Sequence, residues 1–290
     1  MKKKVFLFGL LFSLLLLCGC GVNLTSTVKL NKDFSGTRVM SCTFSSRDFH
    51  SYFKGSKEDL NKLIKESCPD ALTYTSSSSD GNDTYTFYLR FSSLDDYKKK
   101  VRDLLNFSPE ITYEYGDSPF VSGLIYKENF TSKDLMTWLY TALYEGKYID
   151  KDSSSDLWDL KSTEISFLGT TYETKDKINI DEMAYVPLSS IHIDTKTKKS
   201  GKLARVIEFD LPQQTLDQNA GKIRSYFAGN DITWKNTSDG KTLCISFDAN
   251  NFSDLAQKTR TVLHSKNSFG TYSSTCSKDN PFTLKINYEE

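Results

Sequence analysis

The sequence predicts an α+β fold of two duplicated antiparallel-sheet units, each ββαββα with closing strands, joined by a helix-and-strand middle segment. Alternating apolar residues arrive in pairs of runs joined by short turns, the signature of antiparallel pairing. A helical period follows each pair, so helices should cover one face of each sheet. The caps, turns and spacings near the start of the chain then recur near its end.

The first unit opens with Val22, Leu24, Val28 and Leu30 on one strand, a turn over 33–36, and a second strand with Met40, Cys42 and Phe44 on one face. Ser56 is a helix N-cap, and Leu60, Leu63, Ile64 and Cys68 share one helical face before Pro69 stops it. A strand over 72–75 follows, then an Asp80-Gly81 turn and a strand bearing Tyr85, Phe87, Leu89 and Phe91. Ser93 caps a second helix with Leu94, Tyr97, Val101, Leu104 and Leu105 inward. A closing hairpin spans 111–115 and 121–126.

In the middle segment, Thr131 or Ser132 starts a helix carrying Leu135, Leu139, Ala142 and Leu143. Short strands are predicted over 163–167, 170–174 and 178–180. Pro187 then precedes a strand through Ile191 and Ile193. Here the first unit repeats. Ser200-Gly201 answers Ser35-Gly36, and Ile207, Phe209 and Leu211 form the next strand. Thr215 should cap a helix with Leu216, Ala220, Ile223 and Phe227 inward. Asp239-Gly240 answers Asp80-Gly81, and Leu243, Ile245 and Phe247 answer Phe87, Leu89 and Phe91. Phe252, Leu255, Thr259, Val262 and Leu263 keep the spacing of Leu94 to Leu105. Asn251 with Asp254 matches Ser93 with Asp96, and Pro281-Phe282 matches Pro119-Phe120. The expected organisation is a leader over 1–19, a first unit over 20–130, a connector over 131–187 and a second unit over 188–290.

Composition bounds the function classes. Formal charges balance, with 37 basic and 37 acidic residues. Without Lys2, Lys3 and Lys4 the body is slightly acidic, which argues against nucleic acid, whose phosphates need a basic face. After Cys20 the chain carries Cys42, Cys68, Cys244 and Cys276, with no CxxC or zinc-ligand spacing. Disulfides Cys42–Cys68 and Cys244–Cys276, one inside each unit, are the simplest pairing; four free thiols are the alternative.

The leader decides location. Lys2 to Lys4 hold the amino terminus on the cytoplasmic side, and the apolar run Val5 to Leu17 has the length of a signal h-region. Leu17-Cys18-Gly19-Cys20 follows. In these residues the sequence resembles a bacterial lipoprotein precursor with a lipobox. The resemblance implies cleavage before Cys20 and a diacylglyceryl thioether on its sulfur. The lipobox, the strand starting just after it and the Ser35-Gly36 turn also resemble the LppM-type domain and the poorly characterised lipoproteins of low-GC Gram-positive bacteria. That likeness brings no catalytic residues.

Candidate chemistry is sparse. Asp150, Asp152, Ser154 and Asp156 alternate like the start of a calcium loop, but Ser155 and Lys161 replace the required Gly and Glu. They read as a solvated acidic loop. No G-x-S-x-G, phosphate loop or dinucleotide fingerprint occurs, and His50, His192 and His264 read as surface histidines. Trp138, Tyr140, Tyr144, Tyr148 and Trp158 read as packing of the middle segment, with an exposed aromatic contact patch as the alternative. No cofactor or metal is expected. The sequence therefore points to a lipid-anchored protein on the outer face of the bacterial cytoplasmic membrane, with a non-enzymatic binding or envelope-assembly role toward a protein or cell-envelope ligand. The alternative is a cell-wall or surface-polymer hydrolase with unidentified carboxylates.

Overall fold

The computed structural model describes residues 22–47, 53–105, 107–150, 157–264, 273–280 and 283–289, with side chains described as far as 264. Cys20 and the leader lie outside the described residues, as do His50, Asp152, Ser154 and Asp156. The architecture is α+β, as the sequence predicts.

Two compact units divide the chain. One comprises the residues up to Tyr115 with Leu124–Glu182, the other Gly116–Gly123 with the residues from Met183 onward. The expected connector 131–187 is thus mostly part of the first unit rather than a separate segment.

The first unit begins with β1 (Val22–Leu30) and β2 (Gly36–Ser45), then α1 (Lys57–Ser67), β3 (Thr73–Ser79), β4 (Asn82–Phe91) and α2 (Leu94–Leu104). The strands pair antiparallel in the order β3-β4-β2-β1. Strict alternation puts Val22, Leu24, Ser26, Val28 and Leu30 of β1 inside. Asp80 and Gly81 both have positive φ, 54° and 76°, as a two-residue type I′ hairpin between β3 and β4 requires. The helices start on built caps. Ser56 accepts from the Asp59 amide while Asp59 accepts from the Ser56 amide, and Ser93 accepts from the Asp96 amide.

The chain continues through β5 (Ile111–Asp117), β6 (Val121–Glu128), a 3₁₀ turn (Asp134–Met136), α3 (Thr137–Glu145), β7 (Trp158–Phe167), β8 (Thr170–Thr174) and β9 (Asn179–Asp181). β7 joins the first sheet beside β1, in parallel, and β8 extends it, giving β3-β4-β2-β1-β7-β8. Parallel neighbours need a long crossover, and the intervening chain with α3 supplies it. Sequence alternation does not distinguish that parallel pairing from the antiparallel pairing expected of these units.

The second unit contains β10 (Ala184–Tyr185), β11 (Ser190–Thr197), β12 (Leu203–Pro212), α4 (Gln213–Tyr226), β13 (Ile232–Asn236), β14 (Gly240–Ala249) and α5 (Phe252–Val262). β15 (Ser273–Asn280) and β16 (Thr283–Glu289) pair with each other. The main sheet runs β11-β12-β14-β13, all antiparallel. This is the order of the first four strands of the first unit, so the repeated topology read from the sequence is present.

Its register needs correction. The ladders place Phe247 opposite Arg205 and Leu89 opposite Arg38, so Ile245 and Phe247 answer Phe87 and Leu89, two residues from the sequence match. Gly201 sits in the β11–β12 turn at φ 79°, whereas Gly36 is already in β2, where a Cβ would lie 2.1 Å from the Lys29 carbonyl. Thr215 does not cap α4, which starts at Gln213; its hydroxyl donates to the Pro187 carbonyl at 2.8 Å. The core of this unit gathers Ile207, Phe209, Ile223, Phe227, Leu243, Ile245 and Val262, with Phe120 stacked on Phe209 at 5.9 Å.

The expected Cys42–Cys68 disulfide is not formed; Cys42, Cys68 and Cys244 are free thiols among the described residues. Cys42 lies in the core as expected. Cys68 is one residue past the helix, partly buried against the same core as Cys42, and the two thiols remain unbonded to each other. The Cys244 thiol donates to Glu208 Oε1 at 3.3 Å. The side chain of Cys276 lies outside the described residues.

Candidate functional site

The most concentrated chemistry of the first unit is inside it. Arg38 sits on the helix-facing side of β2 with Met40, Cys42 and Phe44, and is fully buried. A charge there needs an equal and opposite partner, because burial alone would cost several kcal/mol or more. Glu128, at the end of β6, supplies it: Arg38 Nη1 donates to Glu128 Oε2 at 2.8 Å. Tyr97, from the first turn of α2, receives a hydrogen bond from Arg38 Nη1 at 2.6 Å and donates to Glu128 Oε1 at 2.7 Å. Tyr126 donates to the same carboxylate oxygen. Arg38 Nη2 donates to Ser132 Oγ at 3.0 Å, and that hydroxyl meets Thr163 Oγ1 at 3.2 Å. The guanidinium lies 5.7 Å from the Phe130 ring centre.

The electrostatics follow from that enclosure. Burial works against the Arg38 charge, but Glu128, with Tyr97 and Tyr126, more than restores it, so its pKa is raised. Burial pushes both phenols above the ordinary tyrosine value, and the neighbouring carboxylate adds to the rise. The group is a closed ion pair with every acidic proton held tightly. It ties β2, α2, β6, β7 and the turn before α3 together, and offers no exposed atom to a ligand.

Sequence reasoning missed this centre, although a signal exists. Arg38 breaks an otherwise apolar strand face, two residues before Met40, and Arg205 does the same before Ile207. Arg205 is also fully buried, with Nη1 donating to Thr259 Oγ1 and Nε to Thr195 Oγ1, both at 3.0 Å.

On the opposite, polar face of the second sheet, Ser190, His192 and Asp210 come together. Ser190 donates to Asp210 Oδ2, while His192 Nε2 stands 3.1 Å from the same hydroxyl and 3.7 Å from the carboxylate. In a nucleophilic triad the base takes the serine proton and the acid orients the base. Here the serine proton goes directly to the acid. Thr242 donates to Asp210 as well, at 2.5 Å, and these two hydroxyl bonds, Ser190 first, hold the Asp210 carboxyl below its usual range. The neighbouring row joins Cys244 and Lys235 to Glu208. Ser190–Asp210–Thr242 and Glu208–Cys244 are cross-strand pairs of directly opposed residues, while His192 meets Asp210 diagonally and Lys235 reaches Glu208 across β14.

The aromatic residues of the middle segment mostly pack inward. Trp138 meets the Phe87 ring edge-on at 5.4 Å, Tyr148 stacks on Phe53 at 5.1 Å, and Trp158 is buried against Phe44. Tyr140 and Tyr144 stack on each other, and Tyr144 is exposed. Asp150 pairs with Lys54 at 2.5 Å on the surface. His264 Nε2 lies 2.7 Å from the Tyr226 carbonyl oxygen. An open cleft of about 440 Å³ in the first unit gathers Tyr172, Glu173, Lys177, Asp181 and Glu182. Tyr172 donates to Glu182 at 3.0 Å, and Lys127 holds Asp181 at 2.6 Å. Among the described residues no group of three or more His, Cys, Asp or Glu side chains could hold a metal ion, and no helix is long and apolar enough to cross a membrane.

Compared with protein-family models and with curated proteins, the chain matches none.

Proposed function

We propose that this chain is a lipoprotein anchored through Cys20 at the outer face of the bacterial cytoplasmic membrane, where its folded body has a non-enzymatic binding or envelope-assembly role. The observation that carries the reading is the lipobox Leu17-Cys18-Gly19-Cys20 set directly against the fold: β1 begins at Val22. A diacylated Cys20 would hold the first sheet at the bilayer with no flexible stalk between them. The conspicuous charged groups support the non-enzymatic part. Arg38 and Glu128 neutralise each other in the core, and the Ser190 proton is given across the strands to Asp210 rather than to His192.

The test is fractionation of cells fed a fatty-acid analogue. The wild-type chain should be labelled, membrane-bound and shortened to begin at Cys20. Cys20→Ser should be unlabelled, and either released or left unprocessed; a Cys20→Ser protein of mature size still held in the membrane would overturn the anchor. For the role, in-membrane crosslinking should return a discrete envelope component. Release of soluble saccharide from purified cell wall by the purified chain would overturn the non-enzymatic reading.

A further inference from the structure

We propose that the outer edge of β11 is a self-association surface, through which two copies of this chain pair β11 with β11, antiparallel, about a two-fold axis at Ile193. β11 ends the sheet order β11-β12-β14-β13, and among the described residues no strand pairs with its other side. A free edge presents unpaired backbone donors and acceptors, and natural proteins cover or blunt it.

The first unit shows what such an edge takes. β1 is the register counterpart of β11: Leu24 lies opposite Cys42, which lies opposite Tyr85, just as Ile191 lies opposite Phe209, which lies opposite Leu243. β7 occupies the outer edge of β1 from Val22 to Leu30. Leu24 and Ser26 are accordingly 0% and 3% exposed, while their counterparts Ile191 and Ile193 are 51% and 49% exposed. The second unit has an isoleucine where the first has Ser26, yet leaves it half bare. From Ser190 to Thr195 there is no proline, lysine or bulge to discourage a partner strand; the lysines begin at Lys196.

The occupant is a second copy because the strand complements itself. A two-fold axis at Ile193 sets Ile193 against Ile193 and Ile191 against Thr195, β-branched pairs that suit a sheet. His192 of each copy faces Asp194 of the other on the polar side. Lys196 faces Ser190, whose hydroxyl is already bonded to Asp210. The contact uses the same patch on both copies, so it closes as a dimer and leaves no further β11 edge to extend a filament. The inference stands independently of the membrane anchor.

The test uses the full-length chain in mild detergent. Sedimentation over a wide concentration range should show a monomer–dimer equilibrium, and Ile193→Lys should weaken the dimer by about tenfold or more. Under mild oxidation, Ile193→Cys should give a cross-linked dimer through the introduced thiols, beyond any formed by the parent chain. Thr197→Cys should not, because in this register the two positions lie about 26 Å apart. A wild-type chain that stays monomeric would overturn the proposal. So would a dimer indifferent to Ile193→Lys, equal crosslinking at the two positions, or β11 amides protected from exchange in the monomer, which would put another segment on this edge.

Discussion

Arg38 and Arg205 occupy the same register position in two sheets of the same topology. Arg38 lies between Val28 and Leu89 on the neighbouring strands, and Arg205 between Thr195 and Phe247. Each reaches a hydroxyl on the helix after the fourth strand, Tyr97 in one case and Thr259 in the other. A buried cation on the apolar face of a strand is costly, and finding it twice marks it as part of the repeated design. The surroundings differ. Arg38 pairs with Glu128 in a closed ion pair, whereas Arg205 also bonds Thr195 on β11.

Breaking the first of these centres should be severe. Arg38→Met leaves the Glu128 carboxylate buried without its cation and should lower stability by roughly 3–5 kcal/mol. Arg38→Met combined with Glu128→Leu removes both charges and should recover much of that loss. Urea unfolding of the two variants measures the difference. A double variant no more stable than the single one would show that packing, rather than charge pairing, dominates.

Alkaline conditions should weaken the same centre. Tyr97 and Tyr126 are held above the ordinary phenol value by burial, and Glu128 raises them further. The folded chain therefore keeps protons that the unfolded chain releases. Stability is full below the unfolded phenol pKa of about 10 and declines as pH rises beyond it. Urea midpoints taken across that range should fall above about pH 10, and Tyr97→Phe should give a lower plateau with a shallower decline. A wild-type midpoint that stays flat would contradict the enclosure.

The repeated helix caps should behave alike. Ser93 accepts from the Asp96 amide and Asn251 from the Asp254 amide, so Ser93→Ala and Asn251→Ala should each cost about 1 kcal/mol. Asp96 and Asp254 are both held low, first by the backbone amides of Ser92 and Asn250. That contribution is present above the unfolded carboxyl value, about 3.9, and is lost as pH falls through the lowered values. Thermal melts at neutral and acid pH check both statements. Caps of unequal effect would break the equivalence of α2 and α5.

Thiol chemistry distinguishes the free cysteines. Burial pushes the Cys42 thiol well up, so it should resist alkylation until the first unit unfolds. Cys68, only partly buried at its helix end, should react in the native state, though slowly, since burial and then Asp70 raise its thiol too. Mass mapping of alkylated peptides under native and denaturing conditions reads this. Recovery of a Cys42–Cys68 disulfide would contradict the free thiols.

The sequence by itself determined the class, most elements, the caps at Ser56, Ser93 and Asn251, and the repeated order of strands and helices. Those are local matters: alternation at period two, helical faces, a Ser or Asn before an acidic third residue, an Asp-Gly turn with positive φ. It also carried Leu17-Cys18-Gly19-Cys20, the run on which the proposed anchor rests and which is read one residue at a time. Tertiary structure decided the rest. Whether β7 joins β1 in parallel depends on a crossover that alternation does not encode. The register of β14 against β12, two residues from the sequence match, depends on which side chains the core accepts. Cys42 and Cys68 pack on one core yet stay unbonded to each other, because a bridge depends on how the helix is set over the strand, which neither face encodes. Arg38 and Glu128, 90 residues apart, become one ion pair only because β2 and β6 bring them together in a closed core, where each charge is tolerable only beside the other.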